Sequence, residues 1–418
     1  MLIFDYFWFL FHVLCCLSFE VAHEIYLIFD MKFEKLIISV AVLSVFLSCS
    51  RPAELPEDSW EPVVYEALSD MIAREGILSE NYDPECRPYA VFDFDNTTII
   101  NDISLTLMIY QIENLRYAFP PEKAFECFTA WLPDLDKVLE GPGMSARMIG
   151  EDLASDYKAL KAMLQMGMEL EKIHATEEYL DFRAKLAGLN EGVENTFDYG
   201  TWCMWQPSLF SGMSWDELQN LTRESVDYWM GQGALSNELW ESPDGRISVE
   251  ITKGLVLPLE SVHLYNTLKD NGFDVYVCSA SLEAVVEAMA CSPGYGLGLS
   301  PDNVFGIRLA DRNNFGGEFD EDYDQTFLEG KTACIEKLIA PRHGGRAPSL
   351  VAGDSNGDYA MLTSFDSLSV GLIFDCKRSG QIAGLIEKAS ASSAQEPAAR
   401  PVYVVQPRDR FTGADSDI

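Results

Sequence analysis

Two aspartates one residue apart close a short apolar run: Ala90-Val91-Phe92 is followed by Asp93-Phe94-Asp95-Asn96-Thr97-Thr98. A buried strand that ends in two carboxylates puts negative charge at the mouth of a sheet, which is costly unless a cation or a reacting group sits there. Asp-x-Asp also occurs in calcium loops and turns, so the pair gains meaning only from partners elsewhere in the chain. Three segments downstream supply them. Asp274-Val275-Tyr276-Val277-Cys278 ends in Ser279-Ala280-Ser281, and Gly330-Lys331-Thr332 opens a helical stretch. Ser349-Leu350-Val351-Ala352 then runs into Gly353-Asp354-Ser355-Asn356-Gly357-Asp358. A serine after a strand is ordinary, and a lysine at a helix start is usually a solvated charge. Strands that release such groups together at one sheet edge build a ligand site outside their carboxyl ends.

In this order the four segments resemble the four motifs of the haloacid dehalogenase (HAD) superfamily. The resemblance implies that Asp93 is a covalent nucleophile and Asp95 a general acid/base. Dehalogenases of the superfamily lack the second aspartate, and its P-type ATPases carry threonine there, so Asp95 implies a phosphatase or phosphotransferase. Three further stretches, 275–283, Pro293-Gly294-Tyr295-Gly296 and Pro301-Asp302-Asn303-Val304-Phe305-Gly306, look like the exported phosphorylcholine phosphatases of the superfamily. That similarity covers the core from Tyr89 to Ile373 and the inserted region only loosely. Phosphoserine phosphatases share the same motif layout.

Hydrolysis of a phosphate monoester needs a nucleophile, a proton donor for the leaving oxygen, and positive charge around the phosphoryl group. Asp93 can attack phosphorus and form an aspartyl phosphate. Asp95 can protonate the leaving oxygen and later take a proton from water. Carboxylates at Asp93 and Asp354 repel, so a cation is expected between them. Magnesium suits two carboxylates, a substrate phosphate and, by the resemblance, the Asp95 carbonyl. Asp358 reads either as a further metal ligand or as a charge at a helix N-terminus. Ser279 is expected to hydrogen-bond phosphoryl oxygens, and Lys331 to neutralise phosphate and nucleophile, with Lys337 in the same segment as the competing choice.

The alcohol half of the substrate has to be read from the insert, which holds six of the eight tryptophans: Trp131, Trp202, Trp205, Trp215, Trp229 and Trp240. Tryptophan faces attract quaternary ammonium groups, while large aromatics also pack a helical domain's own core. The run 197–205 is punctuated by Gly and Asp and reads as a loop. Trp202 and Trp205 within it join Thr97 as candidate substrate residues.

These groups need a sheet to carry them and a lid to cover them. The expected class is α/β: a HAD-type, Rossmann-like parallel sheet core with a large helical C1 cap inserted after the first strand. About 180 residues separate Asp95 from Ser279, far more than one crossover helix requires. Helical spacing recurs at 103–117, 121–139, 150–173, 176–186 and 215–229. The core is therefore assigned to 50–104 and 256–390 and the cap to 105–255. A small hairpin is expected around 304–317, and 391–418 reads as a linker and tail, with 402–405 as a candidate late strand.

Met31-Lys32-Phe33-Glu34-Lys35 is a short charged start, and the apolar run 36–47 leads into Phe46-Leu47-Ser48-Cys49, which resembles a bacterial lipobox. The run is shorter than the roughly 20 residues a membrane span needs. Residues 1–49 are thus expected to be an upstream segment and a lipoprotein signal peptide, with Met31 as the start. Lipid on Cys49 would anchor an exported bacterial lipoprotein to a membrane. The 418-residue chain is 48% hydrophobic with a formal charge of -36. That implies a substantial core and excludes nucleic acid as a partner, because phosphate contacts need a surplus of Lys and Arg. The favoured reading is a magnesium-dependent phosphomonoesterase for a small phosphate ester. The competing reading is a ligand-binding lipoprotein on a catalytically idle fold.

Overall fold

In the computed structural model, residues 52–392 and 402–409 are described. The apolar runs that precede the motif residues all become strands of one six-stranded sheet. They are β1 (Tyr89–Phe92), β4 (Asp274–Leu282), β5 (Val304–Ile307), β6 (Leu350–Gly353), β7 (Val370–Asp375) and β8 (Val402–Pro407), in the order β5-β4-β1-β6-β7-β8. All five pairings are parallel. Every residue of β1, β5 and β6 is buried, as expected of strands covered by helices on both faces.

Register explains why the motifs meet. Phe92 is level with Val277 of β4 and with Ala352 of β6. Asp93, Ser279 and Asp354 follow these level positions by one or two residues, so they come together at the same edge. The chain passes from β1 to β4 on one side and later to β6 on the other. That reversal at the central strand opens a crevice at the carboxyl ends.

Between β1 and β4 lies the insert. Ile100 and Val256 pair as an isolated antiparallel bridge where the chain leaves the core and returns. The helices Ile103–Asn114, Ala146–Gln165, Glu177–Thr196 and Trp215–Gln232 form most of it. The expected helix at 121–139 is only the short Ala124–Phe128, because Trp131 takes a left-handed φ of 63°. The stretch 150–173 is divided at Gly167, φ 76°. The cap is also not wholly helical: β2 (Ser236–Glu241) and β3 (Ser248–Lys253) form an antiparallel hairpin. Val249 and Ile251 of β3 are buried while Ser248 and Glu250 are exposed, the period of a one-sided strand.

Three further expectations are corrected. Residues 197–205 contain the helix Tyr199–Trp205, not a loop. Asp198, read there as a loop residue, is its N-cap and accepts from the Thr201 amide at 3.0 Å. The hairpin expected around 304–317 is shorter and begins later than anticipated. Val304–Ile307 is apolar and buried throughout and joins the main sheet beside β4, so the expected hairpin is confined to 308–320. There Leu309 and Phe319 form an antiparallel bridge, with the Ala310 amide donating to the Glu318 carbonyl at 2.9 Å and the Asp320 amide to the Arg308 carbonyl at 3.2 Å. The stretch 391–418 is not simply linker and tail, since β8 pairs with β7 from Val370–Val402 to Asp375–Pro407. The lipoprotein segment and Cys49 lie outside the described residues.

Candidate active site

The loop after β1 is shaped by its own side chains. Asp93 continues the ladder by donating its amide to the Ala352 carbonyl at 2.9 Å. Asn96 and Asn101 then take left-handed φ values of 54° and 75°, which asparagine tolerates better than most residues. Thr98 Oγ1 donates to the Asp93 carbonyl at 2.7 Å. Arg408, just past β8, donates to the Thr97 carbonyl at 2.6 Å with its guanidinium carbon 3.7 Å from the centre of the Phe374 ring. The region assigned to a tail thus supports the loop that carries Asp93.

Lys331 sits on the short helix Glu329–Cys334 and is buried. Its Nζ donates to Asp93 Oδ1 and to Asp358 Oδ1, each at 2.6 Å. Gly330 before it is obligatory, because a Cβ there would lie 1.9 Å from the Gln325 carbonyl oxygen. Burial alone would lower the Lys331 pKa, but the charges of Asp358 and Asp93 outweigh it and raise it above the ordinary value. Lys337, the competing lysine, pairs with Asp324 on the surface, its side chain 63% exposed. It plays no part here.

In the Gly353–Asp358 loop, the Asp358 carboxylate folds back over the backbone. Its Oδ2 accepts from the Asp354 amide at 3.1 Å, the Ser355 amide at 3.0 Å and Ser355 Oγ at 3.0 Å. A Cβ on Gly353 would lie 2.5 Å from that of Asp358. Although Asp358 precedes the helix Tyr359–Thr363, its side chain makes no capping hydrogen bond to it. The helix-terminus reading therefore gives way to a residue that fixes the loop and holds Lys331.

Carboxylate oxygens of Asp93, Asp354 and Asp358 all lie within 4.8 Å of one another. Burial and then the charge of Asp358 push Asp93 up to about 8. Burial raises Asp354 to about 6, against the opposing charge of Arg378. Hard oxygen donors that resist being charged together are the chemistry a magnesium ion answers, so this cluster fits that metal. Asp358 already has hydrogen bonds on both oxygens, which leaves Asp93 and Asp354 as the available carboxylates.

The Asp95 carboxylate stands apart from that cluster. Its Oδ1 accepts from the Ile103 amide at 2.7 Å, at the start of the helix Ile103–Asn114, and its Oδ2 accepts from Ser281 Oγ at 2.7 Å. Burial, followed by the charges of Asp102 and Asp93, raises its pKa well above the carboxylate norm. Any contribution of Asp95 to a metal would come through its carbonyl, as the resemblance implies. Ser279 is fully buried, its Oγ accepting from the Ser281 amide at 3.1 Å. Thr97 is also fully buried, and its Oγ1 has no hydrogen-bond partner.

The two cap tryptophans separate. Trp205 is fully buried, with its indole N–H donating to the Phe128 carbonyl at 2.8 Å. It is a packing residue of the cap and not a face for a ligand. Trp202 is partly exposed, donates to Asn190 Oδ1 at 3.0 Å, and has its ring centre 5.6 Å from that of Tyr199. The Tyr199 hydroxyl would lie 3.8 Å from a Cβ on Gly357, which sets this helix against the Gly353–Asp358 loop.

Two arginines were not anticipated. Arg378 donates from Nε to Asp354 Oδ2 at 3.2 Å. A signal for it existed: Val370–Asp375 is another apolar run that ends in a charged residue, the same pattern as the motif strands. Arg408 had no local signal, since it and its acceptor Thr97 are 311 positions apart.

Searched against family models, the sequence matches none. It is 29% identical over 219 residues to a phosphorylcholine phosphatase of Pseudomonas aeruginosa, a match that spans 46% of this chain and 60% of that protein's length. Among solved structures it resembles a conserved protein of unknown function from Anaerococcus prevotii. There the TM-score is 0.75 at 28% identity, over 85% of this chain and 96% of the other. The likeness to a phosphoserine phosphohydrolase-like protein of Francisella tularensis, with a TM-score of 0.31 at 14% identity, is too slight to carry an argument. A parallel sheet of this order, with Asp93, Ser279 and Asp354 gathered at the carboxyl ends of its strands, is the Rossmann-like core expected of a haloacid dehalogenase-type phosphatase, and the similarity to a phosphorylcholine phosphatase agrees with it.

Proposed function

We propose that the chain is a phosphomonoesterase that acts through an aspartyl phosphate on Asp93. The observation that carries this is the buried Lys331 ammonium, bonded at 2.6 Å to both Asp93 and Asp358, beside a second aspartate whose environment favours the protonated form. A carboxylate oxygen of Asp93 bonds to phosphorus as the bond to the leaving oxygen breaks. Asp95 gives its proton to that oxygen. Asp95 then takes a proton from water, whose oxygen attacks phosphorus and returns Asp93 as a carboxylate. Ser279 and Lys331 meet the phosphoryl oxygens. Magnesium held by Asp93, Asp354 and the Asp95 carbonyl would supply further positive charge at those oxygens.

Phosphate release should be measured with phosphorylcholine, phosphoserine and p-nitrophenyl phosphate, with and without EDTA. The reading expects release from at least one ester, abolished by chelation and restored by magnesium. Full activity in excess EDTA, or no release from any ester, would overturn it.

The substrate we favour is a small ester such as phosphorylcholine. The supporting observation is Trp202, partly exposed on the helix that lies against the Gly353–Asp358 loop. Contact between a tryptophan face and a quaternary ammonium contributes about 0.5–2 kcal/mol. Trp202→Ala should therefore raise KM for phosphorylcholine several-fold, with little change for p-nitrophenyl phosphate or in melting temperature. Trp205→Ala should instead lower stability by about 3–5 kcal/mol and affect both esters alike. Equal effects of Trp202→Ala on the two esters would remove the case for an ammonium contact.

We also propose that the protein is exported and tethered by lipid on Cys49, for which the support is the sequence pattern at 31–49. Among the described residues no helix is long and apolar enough to cross a membrane. Detergent phase partition is the check. Wild-type protein should enter the detergent phase and Cys49→Ala the aqueous phase, and aqueous wild-type protein would refute the anchor.

A further inference from the structure

Three buried carboxylates meet at Asp93, Asp354 and Asp358, yet Lys331 serves only two of them. The third, Asp354, receives the Nε–H of Arg378. This arginine belongs to none of the four motif segments. It lies in the turn after β7, where Lys377 takes a left-handed φ of 58°. The fourth motif itself fixes that turn. Asn356 donates from Nδ2 to the Ser379 carbonyl at 2.9 Å, and its Oδ1 accepts from the Ile382 amide at 3.0 Å. The fit is tight, since a Cβ on Gly380 would lie 2.6 Å from Asn356 Nδ2.

A guanidinium stays charged at any working pH. When all three carboxylates are ionised, as around a bound cation, Lys331 and Arg378 leave the cluster one negative charge in excess. A divalent ion turns that into one positive charge, which suits a phosphate dianion. Without Arg378 the cluster would hold a divalent ion against two excess negative charges and would offer the dianion a neutral site.

We propose that Arg378 is a positioning residue that aims the Asp354 carboxylate and sets the charge of the cluster, loosening its hold on divalent cations while tightening its hold on phosphate. The cation half stands independently, whereas the phosphate half rests on the phosphatase reading. Removing a unit charge a few ångströms from a divalent ion should change its affinity about tenfold.

Manganese binding can be followed by electron paramagnetic resonance, and inorganic phosphate binding by calorimetry at saturating manganese, with folding checked by circular dichroism. Arg378→Gln should bind manganese about tenfold more tightly and phosphate correspondingly less tightly. Arg378→Lys should stay near wild type in both. If Arg378→Gln is poorly folded, Asn356→Ala serves in its place. It frees the turn that carries Arg378 and should shift both affinities in the same directions, by less. A purely structural role would weaken both ligands together, so unchanged or weaker manganese binding overturns the proposal, as does equal behaviour of the Gln and Lys variants. Wild-type protein that binds manganese but no phosphate would contradict the phosphatase reading and the phosphate half, and the manganese ratio would still decide the cation half.

Discussion

Asp93→Asn should reduce phosphate release by about four orders of magnitude or more, the scale expected when a covalent nucleophile is removed. An amide oxygen is a far poorer nucleophile than a carboxylate and cannot form the aspartyl phosphate. The variant should nevertheless fold. Asn keeps the shape of the side chain, and the Asp93 amide retains its bond to the Ala352 carbonyl. Burial and Asp358 already oppose ionisation of Asp93, with a pKa of about 8. Removing that charge therefore costs the native state little, and Lys331 keeps its bond to Asp358. Melting temperature in EDTA should lie close to wild type while turnover is lost. Substantial activity in the folded variant would defeat the covalent mechanism.

How much of this was legible beforehand depends on the range of the interaction. Each motif strand announces itself locally, because a strand buried on both faces must be a continuous apolar run. The polar residues that follow each run then fall at one edge once the strands are parallel. That is why Asp93, Ser279, Lys331 and Asp354 could be chosen from spacing and resemblance. Local signals were weaker within the cap. Gly200 and Asp198 read as loop residues, yet Asp198 caps a helix and Gly200 lies against Phe327, 2.9 Å from where its Cβ would be. Tryptophan type could not say which ring packs, and only tertiary burial separates Trp205 from Trp202. Arg408 is the extreme case: it supports the Asp93 loop from the far end of the chain, and no window of sequence contains both.

The second large effect concerns stability, and Lys331→Met is the variant that isolates it. Methionine matches the lysine stem in length but brings no charge. The Lys331 ammonium bridges Asp93 and Asp358, whose side chains are 8% and 0% exposed. Breaking a buried pair from one side leaves an uncompensated charge, at a cost of about 3–5 kcal/mol. Urea unfolding in EDTA should show a loss of that size.

Added magnesium should restore part of that loss, because an ion that binds only the native cluster stabilises it by mass action. The deficit should also depend on pH, with a sign that follows from Asp93. Its folded-state pKa, about 8 with Lys331 present, lies above the ordinary carboxylate value and rises further without the lysine. A group shifted upward contributes stability below its unfolded pKa and loses it as pH rises through the folded one. The deficit should therefore be smallest in mildly acidic buffer and grow as pH rises through about 8. Turnover should be lost throughout, since no ammonium remains to meet the phosphoryl oxygens. A variant as stable as wild type at pH 8 in EDTA would mean that the three carboxylates do not share the buried charge this geometry assigns them.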